Sequence, residues 1–178
     1  DELPASQNTL RAGCHDAISY LNEVTENVRR LSRDLSPSIL EDLGFSAAIR
    51  RLAHTFAKHS RIQCSLDLED VDGLFSAEEQ ITLYRMFQEC LTNVAKHAQA
   101  TKVSLAIRKQ GHNVVFCVED NGKGFDVHEA VGRSPGGKGL GLAALHQRTR
   151  MLGGSLDIRS REGAGTTIAL SIPLAIGV

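Results

Sequence analysis

A carboxylate followed by glycines, within residues 118–145, could bind the base of a nucleotide. Asp120 ends the apolar run VVFCV and is followed closely by Gly122 and Gly124. A carboxylate accepts hydrogen bonds, so it can bind the exocyclic amine of adenine, whereas guanine presents a carbonyl at that position. Asp-Asn-Gly is also strong turn chemistry, and a purely structural turn at Asp120 is therefore the alternative.

A second glycine cluster precedes a predicted helix. Gly137, Gly139 and Gly141 have unobstructed backbone N–H groups. Together with the partial positive charge of a helix start, these groups can hold phosphate oxygens. The glycines also permit a loop that opens and closes. Two better-known phosphate motifs fit poorly, because Lys138 is not followed by serine or threonine and no strand leads into the G-x-G-x-x-A segment at 139–144.

Four polar side chains of different chemistry share one face of another predicted helix. Glu89, Asn93, Lys96 and His97 are spaced by four, three and one residues. Residues three or four apart lie on one helical face, so an acid, an amide, a cation and an imidazole line one strip. Alone, such a strip is typical of a solvated helix face. It becomes a candidate site only together with the two glycine clusters.

The helices that would position these residues follow from hydrophobic periodicity. One is predicted at Leu43–Ser60. A second begins at a capping box formed by Ser76 and Glu79 and continues to about Ala98. A third is predicted at 140–152, where two consecutive glycines end it.

The strands alternate apolar and polar residues. One strand is predicted at 62–68, one hairpin turns at Gly111-His112, and residues 155–174 form a closing hairpin. Together with the helices, this order predicts an α+β fold. The expected architecture is a two-layer α/β sandwich with a mixed, mainly antiparallel sheet and helices on one face.

The first segment has the pattern of a long helix. Apolar or small residues recur in alternating steps of four and three at Leu10, Cys14, Ala17, Leu21, Val24, Val28, Leu31 and Leu35. A seam of this kind needs partner helices, and its regularity favours an intermolecular bundle over packing on its own domain. Pro37 ends the helix.

Composition excludes several classes of function. The net charge is −1 and aromatic residues make up 4% of the 178 residues, so binding of nucleic acid is not expected. The four cysteines are widely spaced without a C-x-x-C pair, which argues against disulfides and metal sites and favours a cytoplasmic setting. No run approaches about 18 apolar residues, so no membrane contact is expected.

Four segments in this order and spacing resemble one known family. FQECLTNVAKHA, VEDNGKGF, GKGLGLAAL and EGAGTTIAL are similar to the N, G1 and G2 boxes and closing hairpin of the histidine-kinase ATP-binding domain. That domain belongs to the GHKL superfamily, shared with gyrase, a heat-shock chaperone and a mismatch-repair ATPase. The match covers residues 60–174. Upstream, LSRDLSPSILEDLGFSAAIRRLAHTF resembles the end of the dimerisation helices in kinases of the nitrate/nitrite-sensor type.

The resemblance implies roles at the phosphate end of a bound Mg-ATP. Asn93 would give its amide oxygen to Mg²⁺, which prefers oxygen ligands. Glu89 would polarise the attacking imidazole as general base. Lys96 and His97 would contact phosphate oxygens. The phosphates would be covered by a lid that contains Gly137, Gly139, Leu140 and Gly141.

At the adenine end the resemblance implies that Asp120 binds the exocyclic amine. Gly122 and Gly124 would let the base lie close, and Thr166 would support the pocket through its hydroxyl. Residues 1–42 would be the C-terminal part of the dimerisation and histidine-phosphotransfer region, and residues 43–178 the catalytic ATP-binding domain. The implied partners are ATP, a response regulator and a second copy of the chain, paired through the N-terminal helix.

Two features depart from the family pattern. The aromatic F box between the glycine boxes is not evident, since only Phe125 is nearby. His15-Asp16 resembles the phosphoacceptor pair, but Pro37 follows too soon for a turn and a returning helix. The acceptor is therefore expected upstream of Asp1, with little self-phosphorylation by the chain. The rival functions are a serine kinase of the anti-sigma-factor type and a non-catalytic nucleotide-sensing module.

Overall fold

The computed structural model describes residues 38–127 and 140–174. The helices in these ranges are α1 (Ser38–Leu43), α2 (Phe45–Ser60), α3 (Ala77–Asn93) and α4 (Leu140–Met151), and a π-helical turn at Val94–Ala98 continues α3. None of the described helices is long and apolar enough to cross a membrane. The predicted N-terminal helix and its seam lie outside the described residues, and the division at residues 42 and 43 stays a prediction.

Five strands form one sheet. They are β1 (Gln63–Leu68), β2 (Lys102–Gln110), β3 (Asn113–Asp120), β4 (Ser155–Ser160) and β5 (Thr166–Pro173). The order across the sheet is β1-β2-β3-β5-β4, with β1 parallel to β2 and every other pair antiparallel. The parallel pair needs a crossover, which α3 supplies. The predicted α+β fold with a mixed, mainly antiparallel sheet is confirmed.

The helices pack on one face of the sheet. Along β2, β3 and β5 every second side chain is buried, and the intervening ones are less buried. Phe116 at the middle of β3 lies 6.2 Å from Phe45 of α2 and 6.0 Å from Phe87 of α3, measured between ring centroids. These edge-to-face contacts join the two layers at the centre of the core.

The start of α2 differs from the prediction. The predicted helix at Leu43–Ser60 begins instead at Phe45, and a separate short helix, α1, precedes Gly44. The N–H of Ser46 donates to the Asp72 carboxylate at 2.8 Å, so a side chain 26 residues away caps the helix. Local periodicity could not place this boundary, because the cap comes from a distant loop.

The start of α3 and the end of α4 follow the prediction. Ser76 and Glu79 form the capping box, with the Ser76 N–H donating to Glu79 Oε2 at 2.7 Å and the Glu79 N–H to Ser76 Oγ at 3.3 Å. Helix α4 ends where the N–H of Gly154 donates to the Thr149 carbonyl at 2.9 Å. Both ends therefore depend on short-range contacts that the sequence encodes directly.

Cys90 should be chemically inert in the folded chain. It lies on the buried face of α3, and burial, with a smaller contribution from the charge of Glu89, raises its thiol pKa to about 12. The thiolate is the reactive form, so only about one molecule in ten thousand carries it at pH 8. We expect iodoacetamide at pH 8 to leave Cys90 unmodified until the chain is denatured, as read by peptide mass spectrometry. Rapid modification of Cys90 itself in the folded chain would contradict this placement.

Candidate nucleotide-binding site

Asp120 lies at the C-terminal end of β3, on the face that the helices cover. Only 8% of the residue is exposed. It pairs directly with Thr166 of β5, so the two side chains project from the same face of the sheet. The Gly122 N–H donates to Asp120 Oδ1 at 2.8 Å. The sheet thus holds a carboxylate and a hydroxyl side by side at one end of the buried face.

The carboxyl of Asp120 carries an electrostatic cost. Burial raises its pKa above the ordinary value, the Gly122 N–H lowers it, Glu119 raises it and the Thr166 N–H lowers it. Because the net shift is upward, the folded chain binds this proton more tightly than the unfolded chain. The free energy of unfolding therefore falls as the pH rises through the raised pKa. A buried carboxylate that costs stability is a candidate for a functional group.

The loop after β3 is attached to the end of the α3 segment. The Lys123 N–H donates to the Ala98 carbonyl at 2.8 Å. Asn121 Oδ1 accepts from the N–H groups of Thr101 at 3.0 Å and Lys102 at 2.8 Å, and its amide donates to Thr101 Oγ1 at 2.9 Å. Asn121 therefore fixes the loop that carries Gly122. The sequence alone did not predict this role of Asn121, because its partners precede it by about 20 residues.

The packing of the chain around position 122 requires a glycine there. A Cβ at this position would overlap the Ala98 carbonyl and lie 2.8 Å from the Ala98 Cβ. Gly124 likewise packs against the backbone of Arg161 and Gly165 in the turn between β4 and β5. Close packing of the chain therefore explains why glycine occupies positions 122 and 124. Their predicted role in letting a base lie close stays a prediction.

Replacing Gly122 with alanine should destabilise the chain by about 3 kcal/mol, because the added methyl group has no room beside Ala98. Urea unfolding would measure the change. Gly111→Ala is the matched control: its Cβ would meet no atom within 4 Å, so only the positive φ of that residue costs about 1 kcal/mol. Equal stability of the two variants would contradict the close contact.

Helix α4 begins against the polar face of α3. A Cβ on Gly141 would lie 2.6 Å from Glu89 Oε1 and 3.5 Å from Asn93 Nδ2. Both side chains are half-buried, and these distances place them beside the start of α4. A side chain larger than hydrogen at position 141 would displace them. The structure therefore brings three predicted site residues together: Glu89, Asn93 and Gly141.

The other two residues of the predicted strip occupy the π-helical turn. Lys96 and His97 are both exposed. A π-turn is wider than an α-turn and is frequent at functional sites, and it departs from the α-helical repeat on which the strip was predicted. Glu89 and Asn93 thus lie beside the start of α4, while Lys96 and His97 are open to solvent. The predicted phosphate contacts of Lys96 and His97 stay predictions.

Thr166 belongs to a small hydrogen-bond network with a residue that no motif included. Ser160, at the end of β4, pairs with Thr166 across the strands, and their hydroxyl oxygens lie 3.0 Å apart. Ser160 Oγ also accepts from the Phe125 N–H at 2.9 Å and donates to the Gly165 carbonyl at 3.0 Å. One hydroxyl thus joins the loop after β3 to the turn that precedes β5.

Only the last part of the predicted lid lies within the described residues. Gly137 and Gly139 lie outside the described residues, and Leu140 is the first residue of α4. Within 38–127 and 140–174, no group of three His, Cys, Asp or Glu side chains is arranged to hold a metal ion. The amide of Asn93 nevertheless offers an oxygen ligand, and Mg²⁺ is commonly bound by one or two protein oxygens together with substrate phosphates. The donor set fits Mg²⁺ that arrives with a nucleotide.

Comparisons with known proteins support a common family. The model of the family described as "Histidine kinase-, DNA gyrase B-, and HSP90-like ATPase" matches residues 78–176. The sensor histidine kinase MctS of Rhizobium johnstonii is 37% identical over 158 residues, which cover 88% of this chain and 33% of that protein. The oxygen sensor histidine kinase NreB of Staphylococcus carnosus is 32% identical over 154 residues, covering 86% and 43%.

A solved structure supports the same fold. The blue-light activated histidine kinase of Erythrobacter litoralis EL346 matches 84% of this chain and 50% of that chain, with a TM-score of 0.68 and 22% identity. At this identity the match shows a shared fold. The chain spans about a third to two fifths of the length of the two curated relatives.

Proposed function

The chain belongs to the family of histidine kinase-, DNA gyrase B- and HSP90-like ATPases, and from this premise we propose that it is the ATP-binding catalytic core of a sensor histidine kinase. The predicted resemblance to that family is confirmed. The proposed reaction transfers the γ-phosphoryl group of Mg-ATP to a histidine for relay to a response regulator. One observation carries the proposal: Asp120 lies buried beside Thr166, while Glu89 and Asn93 converge on Gly141.

At the adenine end we assign base recognition to Asp120. Its carboxylate offers only lone pairs, so it accepts from the 6-amino group and repels a 6-oxo group. The Gly122 N–H holds one carboxylate oxygen in place. Discrimination of this kind is strong when a buried polar group would otherwise remain unpaired.

At the phosphate end we assign Glu89 and Asn93 to the reacting groups. Glu89 is the general base that draws the proton from the attacking imidazole. The Asn93 amide oxygen is the protein ligand for Mg²⁺, and the bound ion would neutralise charge on the phosphates. Lys96 and His97 contact phosphate oxygens once the nucleotide is bound. Positioning and charge neutralisation carry most of the catalysis in phosphoryl transfer.

The partners follow from the same proposal. Two relatives are named as sensor kinases, which supports a phosphoacceptor histidine, a dimer through the N-terminal segment and a response regulator that receives the phosphoryl group. The expected acceptor is not one of the described histidines. The predicted alternative, a serine kinase of the anti-sigma-factor type, has no observation in its favour.

The experiment supplies the chain with γ-³²P-labelled ATP, Mg²⁺ and the histidine-bearing helical region of a matched sensor kinase. We expect label on that region, stable in alkali and lost in acid, because phosphohistidine is acid-labile and phosphoserine is not. Acid-stable label would favour the serine-kinase alternative. ATP binding without any transfer would favour the non-catalytic nucleotide-sensing module.

A further inference from the structure

Ser160 occupies a junction of three segments beside the proposed adenine pocket. Its hydroxyl oxygen lies 2.9 Å from the Phe125 nitrogen, 3.0 Å from the Gly165 carbonyl oxygen and 3.0 Å from Thr166 Oγ1. The first contact holds the loop after β3, and the other two hold the start of β5. None of the four family-like segments contains Ser160.

Counting protons fixes the direction of each hydrogen bond. A hydroxyl has one hydrogen to donate and lone pairs that accept. The Phe125 N–H can only donate, and the Gly165 carbonyl can only accept. Ser160 therefore donates its single hydroxyl proton to the Gly165 carbonyl. The remaining contact, between Ser160 and Thr166, is satisfied only when Thr166 donates its proton to Ser160.

This direction leaves Thr166 as an acceptor toward the pocket. With its proton turned to Ser160 on β4, the Thr166 hydroxyl has only lone pairs left for a ligand. Thr166 is also the direct cross-strand partner of Asp120, whose carboxylate can only accept when ionised. Two acceptors therefore lie side by side at the end of the buried face. These two acceptors suit a ligand group that donates two hydrogens, such as the 6-amino group of adenine.

We propose that Ser160 is a positioning residue that sets the hydrogen-bond polarity of the base pocket, holding Thr166 as an acceptor and so favouring 6-amino purines. This inference rests on the proposed function. Ser160 touches no part of the nucleotide. It acts through Thr166, and its loss frees the Thr166 proton to rotate into the pocket, where it opposes the amine.

The test compares ATP with purine riboside triphosphate, which has hydrogen in place of the 6-amino group and leaves ring nitrogen N1 unchanged. Calorimetry of the 178-residue chain with Mg²⁺ gives both dissociation constants. The dissociation constant of purine riboside triphosphate divided by that of ATP measures the contribution of the amine. We expect Ser160→Ala to reduce this ratio about three- to tenfold, the worth of one neutral hydrogen bond. Ser155→Ala is the matched control: Ser155 is exposed at the other end of β4, so the ratio should not change.

A second variant keeps the test independent of the stability of the first. Thr166→Val removes the acceptor itself, so it should reduce the ratio by a similar factor. Adding Ser160→Ala to it should reduce the ratio no further. A purely structural role for Ser160 would weaken both ligands equally and leave the ratio unchanged, which would overturn the proposal, as would an unchanged ratio in Thr166→Val.

The outcome also separates this inference from the proposed function. If the unaltered chain takes up no ATP, the proposed function fails. If the chain binds ATP and Asp120→Asn weakens that binding while the ratio is insensitive to Ser160 and Thr166, only the role of Ser160 fails.

Discussion

Replacing Asp120 with asparagine should lower the affinity of the chain for Mg-ATP by roughly 10- to 100-fold. The carboxylate is buried and accepts from the 6-amino group in the proposed complex, and a hydrogen bond to a charged group is worth about 1.5–3 kcal/mol. Asparagine has nearly the same shape, but its NH₂ group would oppose the amine. Calorimetric titration with ATP measures the change.

The stability of this variant distinguishes a lost contact from a lost fold. An asparagine oxygen can still accept from the Gly122 N–H, and the cost of burying a charge is removed. Thermal unfolding at pH 7 should therefore show a chain at least as stable as the original. Glu119→Gln is the matched control, because Glu119 is the exposed neighbour on the same strand and should leave ATP affinity unchanged. Undiminished ATP binding by Asp120→Asn would contradict the assignment.

Replacing Glu89 with glutamine should slow phosphoryl transfer by about 10²–10⁴-fold, the usual contribution of a general base. Affinity for ATP should change little, because the carboxylate acts on the attacking imidazole. Label transferred to the supplied acceptor region, followed over time at saturating ATP, gives the rate. Calorimetry under the same conditions gives the affinity.

Glu78→Gln is the control for this prediction. Glu78 is an exposed carboxylate in the first turn of the same helix, away from Gly141, so the transfer rate should not change. A rate for Glu89→Gln equal to that of Glu78→Gln would remove Glu89 from the chemistry. A fall in ATP affinity that accounts for the whole loss of rate would assign Glu89 to binding.

Features encoded by short-range patterns could be predicted from the sequence. The capping box at Ser76, the alternation in β2 and β3 and the glycine pair after α4 all depend on residues within a few positions of one another. The placement of Asp120 and Thr166 at one adenine pocket was implied by the resemblance to a known family, and their direct pairing across two strands was not predicted. Local patterns alone leave Asp120 as a possible turn residue.

Features that depend on distant contacts could not be predicted in this way. Asp72 caps α2, Asn121 holds Thr101, and Ser160 holds Phe125, across 20 to 35 residues. The π-turn at Val94–Ala98 also has no local signal, and the Lys96 and His97 that it carries are exposed, whereas Glu89 and Asn93 are half-buried. In each case the tertiary structure, rather than local propensity, decides where the side chain lies.

Titration of the unaltered chain with ATP, with and without Mg²⁺, tests the central claim most directly. If Asp120 and Asn93 hold opposite ends of one nucleotide, calorimetry should show saturable uptake of about one ATP per chain that is markedly tighter with Mg²⁺. Absence of uptake at millimolar Mg-ATP, or equal affinity with the ion removed by chelation, would contradict that arrangement.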